Sequence, residues 1–204
     1  MKVKQLRASR AESTRKALLH HGRRLFTQRG YADVSTDEVV RRAKVTKGAL
    51  YHHFANKIEL YRAVVEDMED EVVAKIEAAA SAHTSPSKQL RAACDAYLDA
   101  CLDVNLARVL VIEAPVVLGW KTWCEIAQEH EVAALEKHLA EAVAAGIFRK
   151  QPLATMAQVL LGALNTSARV IATAPDPAQA RLQVEETVER LLQGLEAKDR
   201  RASP

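Results

Sequence analysis

The sequence is poor in the features that would make it secreted, membrane-bound or catalytic. It has three cysteines, too few for a disulfide framework. Cys94 and Cys101 are seven positions apart, which on a helix separates them by roughly 10 Å, beyond the reach of a bridge. They read as small apolar core fillers in a reducing compartment. No apolar run approaches the roughly 20 residues of a membrane span, and the N-terminus carries scattered Lys and Arg without a signal-peptide core. The expectation is a soluble, cytoplasmic protein with no membrane partner. No segment alternates apolar and polar residues between hairpin turns, so strands are not expected. Neither Glu-x-x-His pairs nor His-x-x-x-His, Gly-x-Ser-x-Gly, Gly-x-Gly-x-x-Gly or P-loop spacings occur. Enzymatic activity, a cofactor and a metal centre are therefore not expected, and the run Glu129-His130-Glu131 reads as a surface charge cluster. Internal repeats and low-complexity segments are also missing.

What the chain does have is apolar content and an uneven distribution of charge. With 49% hydrophobic and 27% charged residues over 204 positions it can bury a core of ordinary size. The net charge of +3 conceals two regions: Met1 to Arg62 carries fifteen Lys and Arg against five Asp and Glu, net +10, and the remainder is net −7. A basic block fits nucleic acid, a membrane surface, an acidic protein or plain solvation, so charge alone does not choose a partner.

Helical spacing recurs throughout, which predicts an all-α fold of about nine helices. A first helix is expected from near Ser9 or Ser13 to Arg29, burying Leu18, Gly22, Leu25 and Phe26 and stopped by Gly30. The next elements are short. Ser35 and Glu38 form a capping box for a helix of about eight residues ending near Ala43, and after a turn at Lys44 and Val45, Thr46 caps another helix through Phe54. Asn56 and Glu59 start a fourth, long helix reaching about Ala82.

Two short helices joined by a tight turn, preceded by a supporting helix and set in a net +10 segment, form a helix-turn-helix suited to the DNA major groove. At 100° per residue, Leu50, His53 and Phe54 fall on one side of the third helix, and Lys47, Gly48, Tyr51 and His52 on the other. The first side packs against Val39, Leu25 and Phe26. On the second side, Gly48 lets the backbone approach DNA, Lys47 can meet a phosphate or a guanine edge, and Tyr51 and His52 can donate to phosphates. Lys57 adds a cation at the start of the fourth helix.

From about Thr14 to Tyr61 the chain resembles the N-terminal domain of the TetR family of one-component regulators. The residues that carry the likeness are Leu25-Phe26, Gly30-Tyr31, Ser35-Thr36, the run Lys47-Gly48-Ala49-Leu50-Tyr51-His52-His53-Phe54, and Lys57. Transferred position by position, the resemblance implies that Thr36, Thr46, Lys47, Gly48, Tyr51, His52 and Lys57 lie at double-stranded operator DNA. It implies further a homodimer formed through the last two helices, and a repressor released by a small-molecule effector. Lys44 departs from the family pattern, standing where a glycine is common, and a left-handed backbone there would cost on the order of 1 kcal/mol. His21 and Gly22 replace small alanines, and Gly22 reads as a close helix crossing. Arg41 and Arg42 read equally as solvated charges or phosphate contacts.

The division expected is residues 1–55 for DNA binding and 56–204 for regulation and dimerisation. In the second part, Ser85-Pro86 separates the fourth helix from a fifth, Pro115 and Gly119 interrupt the next apolar stretch, and a helix from about Thr122 to Ala145 ends at Gly146. Pro152 starts an eighth helix, and Pro175-Asp176-Pro177 separates it from a ninth ending near Leu195. A frayed tail is expected after Lys198. The last two helices carry more apolar surface than one core face needs: Met156, Val159, Leu160 and Ala163 in one, Leu182, Val188, Leu191 and Leu192 in the other. That excess suits a four-helix interface of C2 symmetry. Tyr97, Trp120 and Trp123 are the candidates for lining an effector cavity, although the same rings fill any helical core; the effector expected is mainly apolar. The alternative is a DNA-binding factor of the same fold that answers to a protein partner, or is architectural, without a small-molecule effector.

Overall fold

The computed structural model describes residues 2–197, with side chains from residue 9 onward; the tail after Lys198 lies outside the described residues. Nine continuous helices form among them: α1 (Lys2–Arg29), α2 (Thr36–Ala43), α3 (Lys47–His53), α4 (Lys57–Ser81), α5 (Pro86–Ala100), α6, α7, α8 (Leu153–Thr173) and α9 (Pro177–Leu195). Helix α6 runs from Val104–Ala107 through a π-helical turn, Arg108–Glu113, into Ala114–Val117, and α7 runs from Trp120–Ala127 through a second π-helical turn, Gln128–Val132, into Ala133–Ala144. No helix among the described residues is long and apolar enough to cross a membrane.

Local chemistry sets most boundaries. Helix α1 begins well before Ser9, because residues 2–16 contain no Gly or Pro to stop it. It ends where Gly30 turns left-handed (φ +81°) and its N–H donates to Phe26 O at 2.8 Å. Ser35 Oγ accepts the Glu38 N–H at 3.2 Å, so half of the expected capping box forms. The Glu38 carboxylate accepts from Arg29 instead, at 2.8 Å to each oxygen. Thr46, Asn56 and Asp176 cap α3, α4 and α9 through the N–H groups of Ala49, Glu59 and Gln179.

Pro115 does not break its helix as its sequence position suggests. A proline offers no N–H to the preceding turn, and the π-helical turn just before it absorbs the mismatch. The Leu110 carbonyl, whose i+5 partner would be that proline, accepts the indole N–H of Trp123 at 3.1 Å. The true break is Gly119, at φ +81°.

The chain divides into two compact units. Unit 1 comprises Met1–Met68 and Arg108–Trp123, and unit 2 Glu69–Ala107 and Cys124–Pro204. In unit 1, α1, α2 and α3 pack with the first half of α4 around Leu18, Phe26, Leu50 and Leu60, all fully buried; each such side chain contributes about 2 kcal/mol through burial. Gly22 lies in this core, where a Cβ would contact Leu60 at 3.6 Å, so it marks a close crossing of α1 and α4. Tyr31 and Tyr61 stack on and against Phe26 with centroid distances of 6.0 and 5.0 Å. In unit 2 the core is built on Leu90, Leu98, Ile126, Leu139, Leu164 and Ile171. Arg181 of α9 is buried among the carboxylates of Asp95 (3.1 Å), Asp99 (2.8 Å) and Glu185 (3.1 Å), which ties α9 to α5.

Candidate functional site

Helix α3 has a packed side and an open one. Leu50 and Phe54 are buried while Lys47, Gly48, Tyr51 and His52 are exposed, Tyr51 by 47%. The turn that presents α3 depends on Lys44, whose backbone is left-handed at φ 55°, ψ 40°, at a cost of about 1 kcal/mol. Lys44 is the only non-glycine with positive φ among the described residues. Thr46, the α3 N-cap, is exposed beside the strip, and Thr36, the first residue of α2, is half-buried. Arg41 and Arg42, in the last turn of α2, are both exposed.

The two expected lysines have partners in the free protein. Lys47 Nζ is 2.8 Å from Asp37 Oδ1, and the hydrogen bond and charge of Asp37 raise its pKa. Lys57 Nζ stands 4.1 Å above the Tyr31 ring and donates to Ala32 O at 3.4 Å. Burial lowers its pKa, and Asp33 opposes that shift. The positive field of this surface also registers on His21, whose pKa is lowered by burial first and then by His20, Arg24, Arg42 and Lys44. An exposed strip of a short helix, one small residue on it and cations around it form a surface suited to phosphates and base edges.

Unit 2 contains a small cavity. Its wall is aliphatic, with Ile76, Leu135, Leu161 and Leu164, and three polar side chains face it: Tyr97, Glu131 and His138. The Tyr97 hydroxyl donates to Asn165 Oδ1. Glu131 is 5% exposed and His138 3%. Neither ring nitrogen of His138 has a hydrogen-bond partner, although Glu77 and Glu141 stand 3.4 and 3.7 Å away, close enough for ion pairing. Glu69, also 5% exposed, has one carboxyl oxygen buried without a partner. Burial, and then the charge of Glu69, push the pKa of Glu131 well up; burial, and then the charge of Asp70, hold that of Glu69 up at about 8.

Of the three rings expected at a cavity, Tyr97 lines this one. Trp120 and Trp123 do not: Trp123 is buried in unit 1 with its N–H on Leu110 O, and Trp120, 69% exposed, packs beside it at 5.1 Å between centroids. The expectation of a surface cluster at Glu129-His130-Glu131 is corrected. Glu129 is exposed and His130 reaches Asp70 at 2.9 Å, but Glu131 points into the core. The signal was present in the spacing, since Glu131 stands four residues after Ala127 and four before Leu135 on the apolar stripe, as Glu69 stands four after Val65.

Residues 87–195 match the family model described as tetracyclin repressor-like, C-terminal domain, and residues 18–64 match bacterial regulatory proteins, tetR family. A solved TetR-family transcriptional regulator from Pectobacterium atrosepticum is 31% identical with a TM-score of 0.81, over 94% of this chain and 98% of that one. The transposon Tn10 TetC protein of Escherichia coli is 34% identical over 119 residues, 58% of this chain and 60% of TetC. The transcriptional activator FasR of Mycolicibacterium smegmatis is 38% identical over 88 residues, 43% of this chain and 40% of FasR. The chain thus spans less than two thirds of the length of these two curated relatives.

Proposed function

The chain belongs to the TetR family of transcriptional regulators, and from that premise we propose that it is a homodimeric repressor, released from operator DNA by a small, mainly apolar effector. It is a DNA-binding regulator rather than an enzyme. The observation that carries the proposal is the two-sided α3, with Leu50 and Phe54 buried beneath an exposed Lys47, Gly48, Tyr51 and His52. On this reading residues 1–55 hold DNA through those side chains with Thr36, Thr46 and Lys57, and residues 56–204 supply the effector cavity and the dimer face. Tyr97 is assigned to the cavity, and Trp120 and Trp123 to the packing of unit 1.

Helix α4 is one continuous helix that belongs to unit 1 up to Met68 and to unit 2 from Glu69. A ligand that binds one conformation of unit 2 better than another would shift the population of α4 positions. In a dimer, that changes the spacing of two reading helices set for successive major grooves about 34 Å apart. The test is operator binding by fluorescence anisotropy, using a fragment selected from the native genome, with and without candidate effectors. Binding abolished by a small molecule supports the repressor reading. Binding that no small molecule alters favours a protein-regulated or architectural factor, and binding that an effector strengthens at an activated promoter favours an activator.

A further inference from the structure

We propose that Asp37 is a specificity-determining residue of the DNA surface, which together with Lys47 reads one G·C base pair in each half-site; this rests on reading α3 as the helix that enters the major groove. The residues assigned to that surface above, Thr36, Thr46, Lys47, Gly48, Tyr51, His52 and Lys57, include no acid. Asp37 brings one among them. It lies in the first turn of α2, and its Oδ1 is 2.8 Å from the Nζ of Lys47, the first residue of α3. The pair thus stands at the N-terminal end of the exposed strip, the end from which a recognition helix reaches base edges. Both side chains are open to solvent, Lys47 by 57% and Asp37 by 67%, so DNA has access to both and parting them costs little. Gly48 leaves the adjoining space clear: for a Cβ there, the nearest atom beyond its own helix and chain neighbours would be Thr46 Oγ1 at 4.0 Å, so packing does not call for a glycine.

For the fold, Asp37 adds a negative charge to a first turn that already has Ser35 as its cap and Glu38 beside it, held by Arg29. On a surface that binds phosphates an acid works against affinity, so what it contributes there is discrimination. The chemistry of the pair selects the base pair. A carboxylate only accepts, and the donors that the major groove offers it are the amino groups of cytosine and adenine; the Lys47 ammonium only donates, and needs an acceptor. In a G·C pair, guanine O6 and cytosine N4 lie side by side as hydrogen-bond partners about 2.9 Å apart, which is the spacing of Lys47 Nζ and Asp37 Oδ1. An A·T pair sets O4 beside N6 in the same way, but guanine adds N7 as a second acceptor for the ammonium where thymine has its methyl group. On a phosphate, or on an edge with no amino group facing Asp37, the carboxylate gains no hydrogen bond and repels.

The test uses the full-length protein and a library of randomised duplexes. Wild type should select a G·C pair at one position of each half-site, and anisotropy on single-base variants of the best duplex should show the other pairs there at least about fivefold weaker. Asp37→Asn should shrink that preference to less than about twofold, leave the other positions as they were, and bind random duplex more tightly than wild type does. Lys47→Ala should relax the same position, which a role for Asp37 in helix stability alone would not produce. Asp37→Ser repeats the test if the asparagine variant does not fold. The proposal is overturned if wild type selects no such position or an A·T pair there, if the Asp37 variants select the wild-type motif with undiminished strength, or if the Asp37 and Lys47 variants relax different positions. The reading of α3 fails separately: Tyr51→Ala that leaves all DNA binding intact would remove α3 from the groove. Tyr51→Ala that weakens every duplex, with the motif unchanged in Asp37→Asn, would keep α3 there and remove only Asp37.

Discussion

The Glu113 carboxylate accepts the backbone N–H of Tyr31 at 2.8 Å and fills the space that a side chain on Gly30 would need, an ideal Cβ there lying 2.5 Å from Glu113 Oε1. Gly30 is thus required twice, for its left-handed backbone and for this approach. Glu113 closes the π-helical turn of α6, which is also held within unit 1 by the Tyr61 hydroxyl on Val109 O at 3.2 Å and by Arg108 on Gln28 O at 3.4 Å.

Gly30→Ala should therefore destabilise the protein by more than the roughly 1 kcal/mol of a left-handed alanine. Glu113→Ala should cost about 1–2 kcal/mol by leaving the Tyr31 N–H without its acceptor. Because the second change removes the obstruction felt by the first, the double variant should be more stable than the sum of the two costs implies, by at least about 0.5 kcal/mol. Urea unfolding of the four proteins measures this, and strict additivity would mean that the carboxylate does not press on Gly30.

Lys57→Ala should weaken binding to all DNA sequences and lower the salt slope by about 1, as loss of one phosphate contact does. Lys47→Ala should in addition change base preference if Lys47 leaves Asp37 for a guanine edge. Salt titrations on operator and random duplexes read both effects, and unchanged affinity in both variants would remove these lysines from the interface.

The elements were legible in the sequence wherever local chemistry decides them. Ser35, Thr46 and Asn56 announce the starts of α2, α3 and α4, and Gly30 and Gly146 the ends of α1 and α7. Less legible was anything that depends on a partner distant in the chain. Pro115 reads as a break until a π-helical turn and Trp123 are seen to absorb it. Trp123 itself was drawn toward the cavity by its ring, whereas the Leu110 carbonyl gives it a structural use. Glu131 read as surface because it is charged and has charged neighbours, although its place on the apolar stripe argued the opposite; residue type outweighed spacing there, and spacing was right.

Stability should depend on pH through the buried pair. Glu69 keeps its proton up to about pH 8 when folded, through burial first and then the charge of Asp70, whereas its ordinary value is 4.5. Between those limits the unfolded chain gives up a proton that the folded one retains, so the stability due to this group falls as pH rises, by up to about 1.4 kcal/mol per pH unit. Glu69→Gln should flatten that decline. A slope equal in wild type and variant between pH 5 and 8, measured by denaturant unfolding, would place the carboxyl in a far wetter site.

The dimer face can be tested with a control that the helix geometry supplies. On α8, Val159 and Val170 are 62% and 50% exposed and stand eleven residues apart, which at 100° per residue brings them to nearly the same side. Ala163 and Thr166 lie between them on that side, so the strip carries no charge. On α9, Leu191 is 51% exposed and borders the face on which Val184, Val188 and Leu192 are buried. Leu182, 67% exposed, is nine residues from Leu191 and so about half a turn around the helix from it. If the strip on α8 and the neighbouring edge of α9 meet a second copy, Val159→Glu and Leu191→Glu should each give monomers in sedimentation and reduce operator binding at least about tenfold, because one reading head loses the avidity of two. Leu182→Glu should leave a dimer of full DNA affinity. Dimers from all three variants would move the interface away from α8 and α9, and monomers from Leu182→Glu alone would place it on the other side of α9.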